Sequence, residues 1–155
     1  METTRLTGDD WRLLRDVRLA ALADAPHADG SSLAIEEGFG EADWRGRLDG
    51  GPWTVARHDG ALVGLVGAYV PGDTPMLVAL WVRPGSRGLG VGDALITDVL
   101  RWAAGNRWSR VVLRVADGND AARKLFLRNG FEPTGVRLPL ENDPGVGTEV
   151  LARAI

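Results

Sequence analysis

The chain has 155 residues, 45% hydrophobic and 25% charged, with a net charge of −3 and no cysteine. That length suits one domain with its own core, expected over residues 1–155, and the charge excludes the basic signature of a nucleic-acid binder. The missing cysteines exclude a disulfide scaffold, a thiol nucleophile and a thiolate metal site; with no apolar leader and no run near ~18 apolar residues, the expectation is a cytoplasmic chain with no membrane partner.

Residues 2–6 predict a first strand. Asp9 or Asp10 then caps a helix with Trp11, Leu14, Val17, Arg18 and Leu22 at helical spacing, ended by Pro26. Residues 27–40 are rich in small residues and predict a loop with one helical turn; Asp43 caps a short helix, "WRGRL". "PWTVARHDGALVGLVGAYV" predicts a hairpin turning at Asp59-Gly60, and "MLVALWV" the next strand, apolar on both faces. After a glycine-rich junction, Val91, Leu95, Ile96, Val99 and Trp102 mark one helix face. "RVVLRV" is a strand, and "NDAARKLFLRNGF" a helix stopped by Gly130. "EPTGVRLPL" and "TEVLARA" are the last strands, separated by a polar loop over 141–147. The expected fold is α/β (α+β): a mixed, mostly antiparallel sheet of about seven strands with helices on both faces.

The junction "VRPGSRGLGVGDALITDVL" carries the chemistry. Gly88, Gly90 and Gly92 follow Arg87, between an apolar strand and a helix start. Glycine admits positive φ and leaves N–H groups approachable. A helix start has unpaired amides and a partial positive charge. Strand, glycine loop and helix start together form an anion site, usually for phosphate. No Gly-Lys-Ser/Thr ending is present, and Asp93 follows where a dinucleotide fingerprint needs its third glycine. The two standard nucleotide motifs therefore do not fit.

Arg87-Gly88-Leu89-Gly90-Val91-Gly92 resembles the R/Q-x-x-G-x-G/A loop of the GNAT superfamily of N-acetyltransferases. "RVVLRVADGNDAARKLFLRNGF" is similar to that family's following strand and helix, with an Asn opening the helix and Gly-Phe after it. The motif-specific likeness covers residues 77–131. It implies acetyl-CoA as cosubstrate, with the diphosphate on Arg87, Gly88, Leu89, Gly90, Val91, Gly92 and Asp93. It implies that pantetheine lies where strands 76–82 and 110–115 splay, along the backbone of Leu80, Trp81 and Val82. It puts Asn119, Ala122, Arg123 and Phe126 of the later helix beside the cosubstrate. Many family members have a Tyr that protonates the leaving thiolate; here Phe126 stands at that position and has no proton to give.

The implied activity is transfer of an acetyl group to a primary amine of a small molecule or peptide. The alternative is a domain that holds acyl-CoA without turnover, which Phe126 favours. A general base would come from Glu36 or Glu37, in the segment bordering the acceptor by resemblance, or from Tyr69 at the hairpin's end. The acidic run "EEGFGEAD" could attract a cationic acceptor such as a polyamine, and Trp44 beside it could wall that site, although core is the simpler reading. His27 and His58 lack partners at metal-ligand spacing, so no metal is expected. The C-terminal strands could pair with a second copy as a homodimer.

Overall fold

The computed structural model describes residues 1–25, 31–141 and 143–155. Pro26 and His27, with the rest of 26–30, lie outside the described residues. The elements run β1 (Glu2–Arg5), α1 (Trp11–Asp24), α2 (Leu33–Glu37), α3 (Glu41–Gly50), β2 (Trp53–His58), β3 (Ala61–Tyr69), β4 (Met76–Val82), α4 (Val91–Gly105), β5 (Arg110–Ala116), α5 (Asp120–Arg128), β6 (Glu132–Leu140) and β7 (Asp143–Ala154). One seven-stranded sheet is ordered β1-β2-β3-β4-β5-β7-β6. Every neighbouring pair is antiparallel except β4 and β5, which are parallel. This is the mixed, mostly antiparallel sheet expected. No described helix is long and apolar enough to cross a membrane.

Two apolar layers hold the sheet. On one face Val91, Leu95, Ile96, Val99 and Ala103 of α4 pack with Phe126 of α5 against Val63, Val66, Leu77, Val111, Leu113 and Leu151. Their spacing along α4 is one stripe of a 3.6-residue helix, and each fully buried aliphatic side chain contributes about 1.5–3 kcal/mol. On the other face Trp11, Leu14 and Val17 of α1 and Trp44 of α3 pack on Trp53, Val55 and Leu65. Trp44 is fully buried, so it is core and walls no acceptor site. Asp59 (φ 50) and Gly60 (φ 81) form the two-residue turn between His58 and Ala61, whose left-handed pair matches the strand twist.

Two local expectations need correction. Asp43 does not open α3: Gly40 is the N-cap, and Asp43 accepts a hydrogen bond from the Gly40 amide at 2.9 Å from inside the first turn. Residues 143–147 are strand and not loop, because β7 begins at Asp143 and pairs back to Leu140. Pro144 and two glycines predict poor strand here, but 143–147 lie beyond the last β5 partner, Thr148 opposite Ala116. Beyond the Gly147 carbonyl, which accepts from the Asp117 amide at 3.0 Å, this end of β7 pairs with β6 alone, so Pro144 interrupts no ladder on the β5 side.

Candidate active site

A cleft opens where β4 and β5 part. Their only register partners are Met76 and Val112, and the Val112 amide donates to the Pro75 carbonyl at 3.0 Å. A bulge in β4 bends it away. Leu65 and Gly67 of β3 have one residue between them, whereas their partners Trp81 and Val78 have two, Ala79 and Leu80. Ala79 takes φ 59 to accommodate the extra residue. A left-handed alanine costs about 1–2 kcal/mol, so the packing on both sides enforces it. The resulting cleft, of about 390 Å³, is lined by Met76–Leu80 of β4, Leu113–Ala116 of β5, Asn119, Ala122 and Phe126 of α5, with Ala25, Tyr69, Leu140 and Glu141 among the others.

The glycine loop ends β4 and starts α4. Gly88 (φ 79) and Gly90 (φ 83) occupy the left-handed region, and Gly90 is the N-cap of α4. The first intrahelical bond runs from the Ala94 amide to the Gly90 carbonyl at 3.1 Å. The amides of Val91, Gly92 and Asp93 precede it, at the positive end of the helix. Gly92 serves packing instead: a Cβ there would lie 2.8 Å from Leu125 Cδ2, so a side chain at this position would make Leu125 move. Leu89 is exposed at the loop tip.

Arg87 is anchored within the chain. Its Nε donates to the Val82 carbonyl at 3.0 Å, and its Nη2 to Asp24 Oδ2 at 2.8 Å. Trp81 Nε1 donates to that same oxygen at 2.9 Å. Asp24, the last residue of α1, thus ties the helix to both β4 and the loop. Trp81 packs on the α1 face of the sheet, whereas Leu80 and Val82 pack on the α4 face.

Several side chains expected at the cosubstrate point elsewhere. The Asp93 carboxylate receives Arg128 Nε and Nη2 at 3.0 and 2.7 Å and Asn129 Nδ2 at 2.9 Å. The Arg128 hydrogen bonds hold it below the usual aspartate range against the opposing effect of burial, with help from Asn129 and the Arg128 charge. Only the Asp93 backbone is left for the loop. Arg123 is forked onto Glu149 of β7 at 2.9 and 3.3 Å, which lowers the Glu149 pKa, and so it does not reach toward the loop. Asn119 caps α5, its Oδ1 accepting from the Ala122 amide at 3.4 Å, and also borders the cleft. Phe126 is buried edge-to-face on Phe131 at 5.9 Å, with its ring reaching the cleft.

The three general-base candidates separate. Glu36 is fully buried: Arg18 Nε and Nη2 donate to it at 3.0 and 3.1 Å and Arg47 Nη1 at 2.6 Å. Burial pushes its pKa up, but hydrogen bonds from Arg47 and Arg18, the Arg18 charge and a hydrogen bond from Ser31 outweigh it and hold the carboxyl at about 2. Such a carboxylate has no lone pair facing substrate and too little basicity, which corrects the expectation for Glu36. Glu37 is exposed and lies outside the cleft lining. Tyr69 is half-exposed, and of the three it alone borders the cleft.

The acidic run "EEGFGEAD" is likewise committed: Glu36 to the two arginines, Asp43 to Gly40, and Glu41 to Arg45 at 3.1 Å. Little of it remains to attract a cation. Arg114 and Glu141, in the cleft lining, and Asp24 belong to no sequence motif. Asp24 meets Trp81 and Arg87 only across 57 and 63 positions, and Arg114 looks like any exposed strand arginine until the cleft is seen. Among the described residues no group of three or more His, Asp or Glu could hold a metal.

The family model "Acetyltransferase (GNAT) family" matches residues 14–131. The chain is similar to N-acetyltransferase 8B of Mus musculus, 35% identical over 94 residues, which are 57% of this chain and 40% of that one. It is similar to the N-alpha-acetyltransferase RimI of Mycobacterium tuberculosis, 36% identical over 86 residues, 53% of this chain and 52% of that one. It thus spans about half or less of the length of these curated relatives. The fold is similar to a crystal structure of PaiA N-acetyltransferase from Thermoplasma acidophilum in complex with coenzyme A, with TM-score 0.74, 14% identity and full coverage of both chains. The chain belongs to the GNAT acetyltransferase family.

Proposed function

We propose that the protein is an acetyl-CoA-dependent N-acetyltransferase that transfers the acetyl group to a primary amine of a small molecule or peptide. The observation that carries this reading is the conjunction of an open cleft between β4 and β5 with a left-handed glycine loop at the start of α4. The amides of residues 88–93 meet the charge of the CoA diphosphate. Pantetheine amides pair with the free edge of β4 over Leu80, Trp81 and Val82, as an added strand would. Asn119, Ala122 and Phe126 border the far wall, while the Arg123 side chain and the Asp93 carboxylate take no part.

The amine attacks as its neutral form, since an ammonium has no lone pair. Its nitrogen bonds the thioester carbon, charge builds on the oxygen, and a backbone N–H of the splayed β4 stabilises that charge. The C–S bond then breaks, the thiolate leaves and the new amide loses a proton. Phe126 cannot protonate the thiolate, but with a thiol pKa of ~8.5 the departing sulfur needs little help. Tyr69 would relay the amine's proton to solvent, its hydroxyl passing its own proton to water as it takes up the amine's. Tyr69 borders the cleft, while Glu37 stays in solvent.

Calorimetric titration with CoA, followed by thiol release from acetyl-CoA across a panel of amines, tests the reading. The expected result is CoA heat and acetyl transfer; CoA binding with no transfer to any amine would establish the holding module instead. Tyr69→Phe is expected to lower kcat about tenfold with the acetyl-CoA KM unchanged, because a water chain retains part of the proton transfer. An unchanged kcat would remove Tyr69 from the mechanism.

A further inference from the structure

We propose that the amine acceptor carries its own carboxylate, in the manner of a free amino acid, and that Arg114 and Glu141 select it; this rests on the N-acetyltransferase reading above. Arg114 is on β5 between the buried Leu113 and Val115 and is itself exposed, in the lining of the cleft. Arg123 is paired with Glu149, Arg137 with Asp117, Arg87 with Asp24 and Arg128 with Asp93. Arg114 has no such carboxylate among the described residues. Among the described residues that line the cleft, it is the unpaired guanidinium.

Glu141 borders the same cleft and is exposed. It too has no ion-pair partner among the described residues, and it is not bridged to Arg114. One cation and one anion unpaired among the described residues, on the lining of the cleft that receives the thioester, complement a small zwitterion. The acceptor's carboxylate takes the planar fork of Arg114, a geometry that guanidinium matches with two parallel hydrogen bonds. Glu141 draws in the ammonium end, which deprotonates before attack. A polyamine fits poorly, because Arg114 repels it and the acidic run of α2 and α3, apart from Glu37 outside the cleft, is already committed to Arg18, Arg47, Arg45 and Gly40.

Matched acceptors test this: free amino acids against their carboxamides, with spermidine as the polycation, assayed by thiol release after CoA binding has been measured on the wild type. The wild type should favour the free acids in kcat/KM by about tenfold to a hundredfold, the range of a hydrogen bond to a charged group. Arg114→Glu, checked by its melting temperature, should reverse the order, and Arg114→Gln should flatten it. CoA binding with equal use of acids and carboxamides, a preference for spermidine, or no turnover of any free amino acid overturns this inference alone. Absence of CoA binding overturns the N-acetyltransferase reading and this inference with it.

Discussion

Valine at both Gly88 and Gly90 is expected to weaken CoA binding by on the order of a hundredfold while leaving the chain folded. Gly88 and Gly90 hold φ of 79° and 83°, and a Cβ at either would meet nothing within 4 Å. The substitution therefore adds no clash with the core. Its cost lies in the backbone: a left-handed L-residue is disfavoured by about 1–2 kcal/mol each, more for a β-branched one. At about 1.4 kcal/mol per factor of ten, the pair removes roughly a hundredfold of the loop population able to present its amides. The loop is exposed at Leu89, and no core residue of α4 precedes Val91, so the melting temperature should stay near the wild-type value. Calorimetry with CoA beside a thermal melt decides it. Unchanged affinity with an intact melt would mean that the diphosphate sits elsewhere; lost affinity with a collapsed melt would mean that the loop is structural.

The parts legible in the sequence are those whose signal is local. The stripe of Val91, Leu95, Ile96 and Val99 fixes both the helix and its buried face, and Asp59-Gly60 fixes the hairpin register because few residue pairs take that turn. The loop reading depended on residue types and order, and the three glycines proved to have two different causes: φ at Gly88 and Gly90, and contact with Leu125 at Gly92. What escaped depends on distant partners. Nothing around Ala79 predicts a left-handed alanine, since the bulge comes from the mismatch between β3 and β4 register. The polar start of β7 reads as loop until β6 supplies its ladder. Glu36 reads as an accessible loop acid, because the arginines that claim it are 18 and 11 positions away.

Glu36→Gln is expected to destabilise the fold by about 3–5 kcal/mol, the usual cost of breaking a buried ion pair by removing one partner. Glutamine retains the shape but not the charge, so the Arg18 and Arg47 guanidinia that converge on one carboxylate at 2.6–3.1 Å would face each other without it. Arg47 also lies over the rings of Phe39, Trp44 and Trp53 at 5.1, 5.1 and 5.7 Å, so the disturbance would reach the α3 side of the core. For a chain of this size the melting temperature should drop by roughly 10 °C. The effect has a pH signature. With the folded pKa near 2 against an ordinary 4.5, the carboxylate's contribution is fully present above about 4.5 and is lost as pH falls toward 2. The shift corresponds to about 3 kcal/mol. The stability gap between wild type and Glu36→Gln, measured by denaturant titration, should therefore be widest at pH 6–7 and narrow steadily below about 4.5. A gap independent of pH would deny the ion-pair origin. At temperatures where the variant is folded its kcat should match the wild type; a large fall in kcat there, with stability intact, would restore Glu36 as the base that its burial and low pKa argue against.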